Sequence, residues 1–300
     1  MKKEDINTII TVLVTIMIGA LLALAGSQGG IRIGNFPVFA IAVGMAYLIQ
    51  WIVFIPSYIN RTEKFFDLTG GITYTTVTIV SMVLSGKTDL RSLVLSALVL
   101  AWAIRLSSFL FMRVRKAGED RRFREIKQSF WRFLQTWTLQ GLWVTFTLAA
   151  ALAVITSQRV AGLDAFLVVG VLVWVIGFAI EVAADTQKSR FKADSANDGR
   201  FIHAGIWAWS RHPNYFGEIV LWIGVAIIAL PVLQGWQWFT LISPIFVTLL
   251  LTRLDATRAT LDYVGAGHPP GMIFDRSGHP KTLLESSTVP MGILSVSARP

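Results

Sequence analysis

The sequence predicts an all-α, polytopic membrane protein of seven to eight transmembrane helices. Three observations carry this. Of 300 residues, 54% are hydrophobic and 15% charged, with 11 tryptophans, which leaves too little polar surface to clothe a soluble domain. The apolar residues fall in long runs, most of which approach or reach the ~20 residues that a spanning helix needs. The Lys and Arg residues gather in alternate loops, as they do on the cytoplasmic side of a membrane.

The runs lie at about 7–25, 37–58, 70–86, 90–112, 133–156, 163–184, 216–233 and 238–252. The third is short and rich in Thr and Gly, and only a Gln-Gly-Trp-Gln turn divides the last two. The count is therefore eight, or seven if one run is re-entrant. Segment 113–132 holds eight Lys/Arg against three Asp/Glu, and segment 186–214 holds five Lys/Arg. Segments 26–36, 157–162 and 234–237 hold one, one and none. With both basic segments in the cytoplasm every other connection alternates consistently. Lys2, Lys3 and the tail then lie inside, and Asp67 falls in a short cytoplasmic loop. The first run is long and lacks a small-residue cleavage motif, so no cleavable signal is expected. Neither a repeat nor a long linker divides the chain. Residues 1–252 read as one transmembrane domain. Residues 253–300, rich in Pro, Gly and Ser, read as an irregular cytoplasmic tail.

Composition also excludes chemistry. The chain has no cysteine and four histidines without a close pair, so disulfides, thiolate sites and a metal centre are not expected. A net charge of +9 would suggest nucleic acid for a soluble protein. Here it marks cytoplasmic loops and contact with anionic membrane lipids, and no nucleic-acid partner is expected.

The chemistry concentrates in residues 181–218, EVAADTQKSRFKADSANDGRFIHAGIWAWSRHPNYFGE. Glu181, Asp185, Lys188 and Lys192 are spaced by four, three and four, which puts them on one face of a continuous helix. Ionisable groups at the end of a spanning run usually face a polar cavity. Pro213 suits the first turn of the next helix, on which Asn214 and Glu218 share a face. Two helix ends thus converge on a basic, aromatic loop suited to an anionic ligand. His212 either bonds that ligand or caps the helix, and Tyr215 either stacks on it or packs at the interface. Arg105, inside the fourth run, is either a snorkelling or structurally paired side chain or a ligand-facing guanidinium. The loop MRVRKAGEDRRFREIKQSFWRF is either a topology determinant or a phosphate site. Arg121, Arg122 and Arg124 are suited to phosphates, and Phe123, Phe130 and Trp131 to stacking on a flat ring.

The segment FKADSANDGRFIHAGIWAWSRHPNYFGEIVLW resembles the C-terminal domain of the steroid 5-alpha-reductase family, and more narrowly a bacterial branch of it. RLSSFLFMRVRKAGEDRRFR and EVAADTQKSRFK resemble the same branch, so the likeness runs over about 67–251. It implies helices around a cytoplasm-facing cavity in a bacterial inner membrane. There NADPH would reduce a C=C bond conjugated to a carbonyl in a lipid-like substrate. It also implies cofactor contacts from Arg105, Arg113, Arg122, Glu181, Asp185, Lys192, Arg211, His212, Asn214, Tyr215 and Glu218. Two departures qualify it. Glu181 stands where steroid-reducing members carry an amide, and their Gln-Glu pair is here Gln50-Trp51, with Trp102 at their tyrosine position. The enolate donor is then Tyr47, Tyr58, Tyr74 or a water on Gln50, of which Gln50 and Tyr74 are assigned the catalytic role. The rivals are a methyltransferase using S-adenosylmethionine, of the isoprenylcysteine type, which carries a similar Arg-His-Pro-x-Tyr signature, and a lipid-binding or transport protein without catalysis.

Overall fold

The computed structural model describes the backbone over residues 3–117, 123–197 and 200–249 and in four short strands of the tail, and side chains over 5–112, 115, 123–197 and 200–248. Each apolar run becomes a helix. They are α1 (Lys3–Gly26), α2 (Val38–Ile59), α3 (Phe66–Ser85), α4 (Leu90–Ala117), α5 (Phe130–Ile155), α6 (Ala165–Ala193), α7 (Pro213–Ala229) and α8 (Ile242–Leu249). Among the described residues the first six are long and apolar enough to cross a membrane. At 17 residues α7 is shorter. The eighth run is divided into a 3-10 turn, Gly235–Leu241, and the eight residues of α8.

α5 is the pillar of the bundle. It touches α1, α2, α3, α4, α7 and α8, and every residue from Thr147 to Ile155 is buried. The sequence there is TLAAALAVI. Its alanines let neighbours approach from all sides, which lipid-soluble helices need because hydrophobic contrast drives no association between them.

Polar pins hold the two ends of the bundle. On the basic side, Lys127 Nζ pairs with the buried Glu63 at 2.7 Å. Arg61 Nη1 donates to the carbonyls of Lys127 and Gln128 at 2.8 and 3.1 Å. Phe54, Phe66, Phe123, Phe133 and Trp137 pack together beneath. Phe123, expected to stack on a ligand, is therefore a core residue, and Phe130 packs on Phe54 and Tyr58. Asp67, expected in a loop, stands in the first turn of α3, where a carboxylate complements the helix dipole.

On the opposite side the pin is Arg91, fully buried. Its guanidinium donates to the carbonyls of Ala161, Gly162 and Ile228 at 3.3, 2.9 and 2.5 Å and pairs with Asp164 at 2.7 Å. Asp164 also caps α6 by accepting from the Leu167 N–H. The Arg91 hydrogen bond holds the Asp164 carboxyl below its usual range. Short antiparallel pairs complete the fold. One joins β1 (Arg32–Ile33) to β2 (Phe36–Pro37). The tail, expected to be irregular, contains β3 (Arg253–Asp255) with β4 (Thr260–Asp262) and β5 (Gly271–Phe274) with β6 (Pro280–Leu284). Runs such as Met-Ile-Phe and Thr-Leu-Leu favour strands despite the glycines and prolines around them.

Candidate functional site

The site is built where α4, α6 and α7 meet. Its geometry follows from four glycines. Gly170 and Gly177 on α6 and Gly217 and Gly224 on α7 each lie seven residues apart, so each pair holds one helix face. A Cβ placed on Gly217 would stand 2.6 Å from the Glu181 nitrogen and the Gly177 oxygen. One placed on Gly224 would stand 2.6 Å from the Gly170 oxygen and the Trp174 nitrogen. The two helices thus touch backbone to backbone, and the side chains flanking the contact are forced together.

Those side chains are acids. Glu181 and Asp185, one turn apart on α6, are both buried. Arg105 of α4 bridges them: Nη1 donates to Glu181 Oε1 at 2.7 Å and Nη2 to Asp185 Oδ2 at 2.6 Å. Glu218, the residue after Gly217, feels the charges of Asp185 and Arg105 and is felt by Glu181. Two carboxyl groups therefore share one guanidinium, with Glu218 in the same electrostatic neighbourhood. Arg105 also lies over the Phe109 ring at 5.4 Å. Arg105 is thus a paired side chain facing the bundle.

An aromatic layer lies beside the acids. Trp102, one turn from Arg105, packs edge-on against Tyr74 and Trp222, each 5.0 Å away. Trp102 interacts with Glu181, but its indole N–H reaches no acceptor within hydrogen-bond geometry. Among the described residues the buried Glu181 Oε2, Asn214 Oδ1 and Trp222 Nε1 also make no hydrogen bond. Unsatisfied groups of this kind are costly, and their clustering calls for an explanation such as a ligand or bound water.

The two residues assigned to catalysis hydrogen-bond different neighbours. Gln50 is fully buried and donates to Thr73 Oγ1 at 2.8 Å. Thr73 in turn donates to the Thr69 carbonyl, so its oxygen is free to accept and the Gln50 amide orientation is fixed. Tyr74 is the next residue, about 100° around the helix, and hydrogen-bonds Thr147. Because Thr147 Oγ1 donates to the Trp143 carbonyl at 2.8 Å, the phenol is the donor of that pair. Tyr74 also lies in the field of Glu218, which links it to the acidic cluster. Of the other tyrosines, Tyr47 donates to the Thr15 carbonyl at 3.0 Å, and Tyr58 stacks on Phe54 beneath Arg61.

Other candidates stand at the end of α6 and the start of α7. Pro213 takes the first position of α7 and His212 the N-cap, with no side-chain cap bond. The imidazole instead stacks on Tyr215, 5.2 Å away. Burial first, and the Lys188 and Arg211 charges second, push His212 down to about 4. It is a neutral hydrogen-bonding group at pH 7, not a counter-charge. Lys192 and Arg211 are exposed and lie outside the cluster. The Arg113 side chain and all of Arg122 lie outside the described residues. Sequence reading missed Trp222 and Thr147. Trp222 stands one turn from Glu218, and that spacing was the available signal.

Comparison with known proteins gives a family and little else. No curated protein and no solved structure matches the chain. Residues 237–300 match the family described as stage II sporulation protein E, a share too small to assign the whole. Residues 53–263, which include the entire acidic cluster and its aromatic layer, match a second family. The chain is an integral membrane protein that belongs to the family described as protein of unknown function DUF1295.

Proposed function

We propose that the chain is a membrane-embedded reductase. It takes hydride from NADPH and delivers it to the beta carbon of an activated C=C bond in a lipid-like acceptor of steroid, enone or isoprenoid type, and a proton from water then completes the alpha carbon. The resemblance of residues 181–218 to steroid 5-alpha-reductases suggests the reaction. The observation that supports it is the ion-paired cluster of Arg105 with the buried Glu181 and Asp185, with the unpartnered acceptors Glu181 Oε2 and Asn214 Oδ1.

The residues fit such a cofactor. Glu181 Oε2 and Asn214 Oδ1 are acceptors, and a carboxamide brings two N–H donors. Lys192 and Arg211, exposed where the two helices begin and end, suit phosphates, for which charge-assisted bonds are strong. When bound, NADPH supplies the hydride. Around it, Arg105 holds Glu181 and Asp185 in one orientation, and the surplus of acid over base places a negative field where positive charge develops. Trp102 and Trp222 close the apolar side and exclude water. Tyr74, released from Thr147, is the donor for the acceptor's oxygen. Gln50 acts through Thr73 as a positioning residue for α3. The basic side of the bundle faces the cytoplasm of a bacterial inner membrane.

The acid surplus also suits a second ligand, the sulfonium of S-adenosylmethionine, in a methyl-transfer reaction. Thermal unfolding of the detergent-purified protein separates the two. A ligand at 100 times its Kd that binds only the folded form adds about 2.7 kcal/mol. NADPH should raise the melting temperature and S-adenosylmethionine leave it unchanged. The opposite pattern would replace the reductase with a methyltransferase.

A further inference from the structure

After the apolar part of α6 the chain does not leave the membrane surface for good. α6 runs nine residues past Ala184 before ending at Ala193, about 13 Å at 1.5 Å per residue. The chain then doubles back. The Trp207 indole N–H donates to the Ala184 carbonyl at 3.0 Å, and the Ile206 N–H donates to Gln187 Oε1 at 3.2 Å. Gly205, at φ +62°, lies on the Gln187 side chain, which its missing Cβ permits. The Lys188 ammonium lies 4.8 Å from the centre of the Trp207 ring. The turn Gly205–Ala208 is thereby held beside α6 where apolar sequence gives way to charge, and α7 starts five residues later.

Trp207 is buried as the pin, whereas Trp209 is 87% exposed, more than any other large apolar side chain among the described residues. Phe201 and Phe216 are also exposed. Arg190, Arg200 and Arg211, from the same stretch of chain, are exposed as well. Indoles concentrate at the headgroup level of bilayers, and clustered arginines at that level attract anionic lipid. Neither the acidic cluster nor a cofactor needs Trp209 or Phe201.

We propose that residues 200–212 form an interfacial anchor. Trp209 and Phe201 enter the headgroup region of the leaflet on the basic side, and Arg190 and Arg200 meet the phosphates of anionic lipids. The anchor stands independently of the reductase reading.

Because the chain has no cysteine, single nitroxides report its depth cleanly. The full chain, carrying Ser210→Cys or Ser195→Cys, is placed in nanodiscs of phosphatidylcholine alone or mixed with phosphatidylglycerol, without nucleotide. The label at 210 should collide severalfold more with oxygen relative to an aqueous nickel chelate than the label at 195. Phosphatidylglycerol should raise that ratio at 210 only. Adding Trp209→Ala should lower it in both lipids, and adding Arg200→Glu should remove only the phosphatidylglycerol increment. Equal ratios at the two positions, or a ratio at 210 indifferent to phosphatidylglycerol, would overturn the anchor.

Discussion

Gly217→Ala isolates the contact on which the acidic cluster depends. The added methyl group would sit 2.6 Å from the Glu181 nitrogen and the Gly177 oxygen and 3.1 Å from the Glu181 Cα. Comfortable separation for a carbon is about 3.5–4 Å, so α7 must retreat from α6 by about 1 Å. All three opposing atoms are backbone in a helix, and no flexible side chain can absorb the clash. Overpacking of this kind costs about 1–3 kcal/mol. The same 1 Å carries Glu218 away from Asp185 and Arg105. The assay is unfolding in mixed detergent, with nucleotide affinity measured on the folded protein. Gly44→Ala is the control, because a Cβ there meets nothing within 4 Å. The control should match or exceed the parent, since alanine favours a helix interior by about 1 kcal/mol. Gly217→Ala should unfold earlier and bind NADPH more weakly. If both variants unfold like the parent, the helices are not in backbone contact and the account of the site fails.

Other outcomes follow from the same geometry. Arg105→Ala should cost about 3–5 kcal/mol, since it strands two buried carboxyl groups, and Arg105→Lys should recover only part; a silent Arg105→Ala in thermal unfolding would refute the pairing. Asn214→Ala should weaken NADPH binding and leave the melting temperature of the ligand-free protein unchanged; the reverse would make Asn214 a clasp between helices. His212 titrates low in the folded protein, at about 4, so on acidification the unfolded chain takes up the proton first. Its contribution to stability is whole above about pH 6.5, the value for free histidine, and falls from there towards pH 4. His212→Gln should flatten the pH-stability profile across that window, and an unchanged profile would show that the imidazole titrates normally.

The helices were legible in the sequence because lipid imposes length and apolarity on every crossing. So was the face of α6 that carries Glu181 and Asp185, since their four-residue spacing survives on one unbroken helix. The contact that makes these residues a site was written in the heptad spacing of Gly170, Gly177, Gly217 and Gly224. A glycine inside an apolar run gives no sign of which helix it meets, and that pairing had to come from the fold. Gln50 and Tyr74 show a different limit. Both are polar residues in apolar runs, yet Gln50 bonds the threonine next to Tyr74, and a single helical step sends the two groups to different neighbours. Phe123 was misread because its segment is basic, whereas its ring inserts beneath the helices next to Phe66 and Phe133.

The Arg91 pin also has a consequence for assembly. Its partners arrive at very different times during synthesis: Ala161, Gly162 and Asp164 follow about 70 residues later, and Ile228 137 residues later. When α4 forms, the guanidinium in its first turn has none of them. Asp164 and the turn before α6 supply the first bonds. The last comes only when the end of α7 is in place. The ring through α4, α6 and α7 therefore closes late in biogenesis. A chain truncated before Ile228 would leave one donor of the Arg91 guanidinium without the acceptor it has in the finished protein.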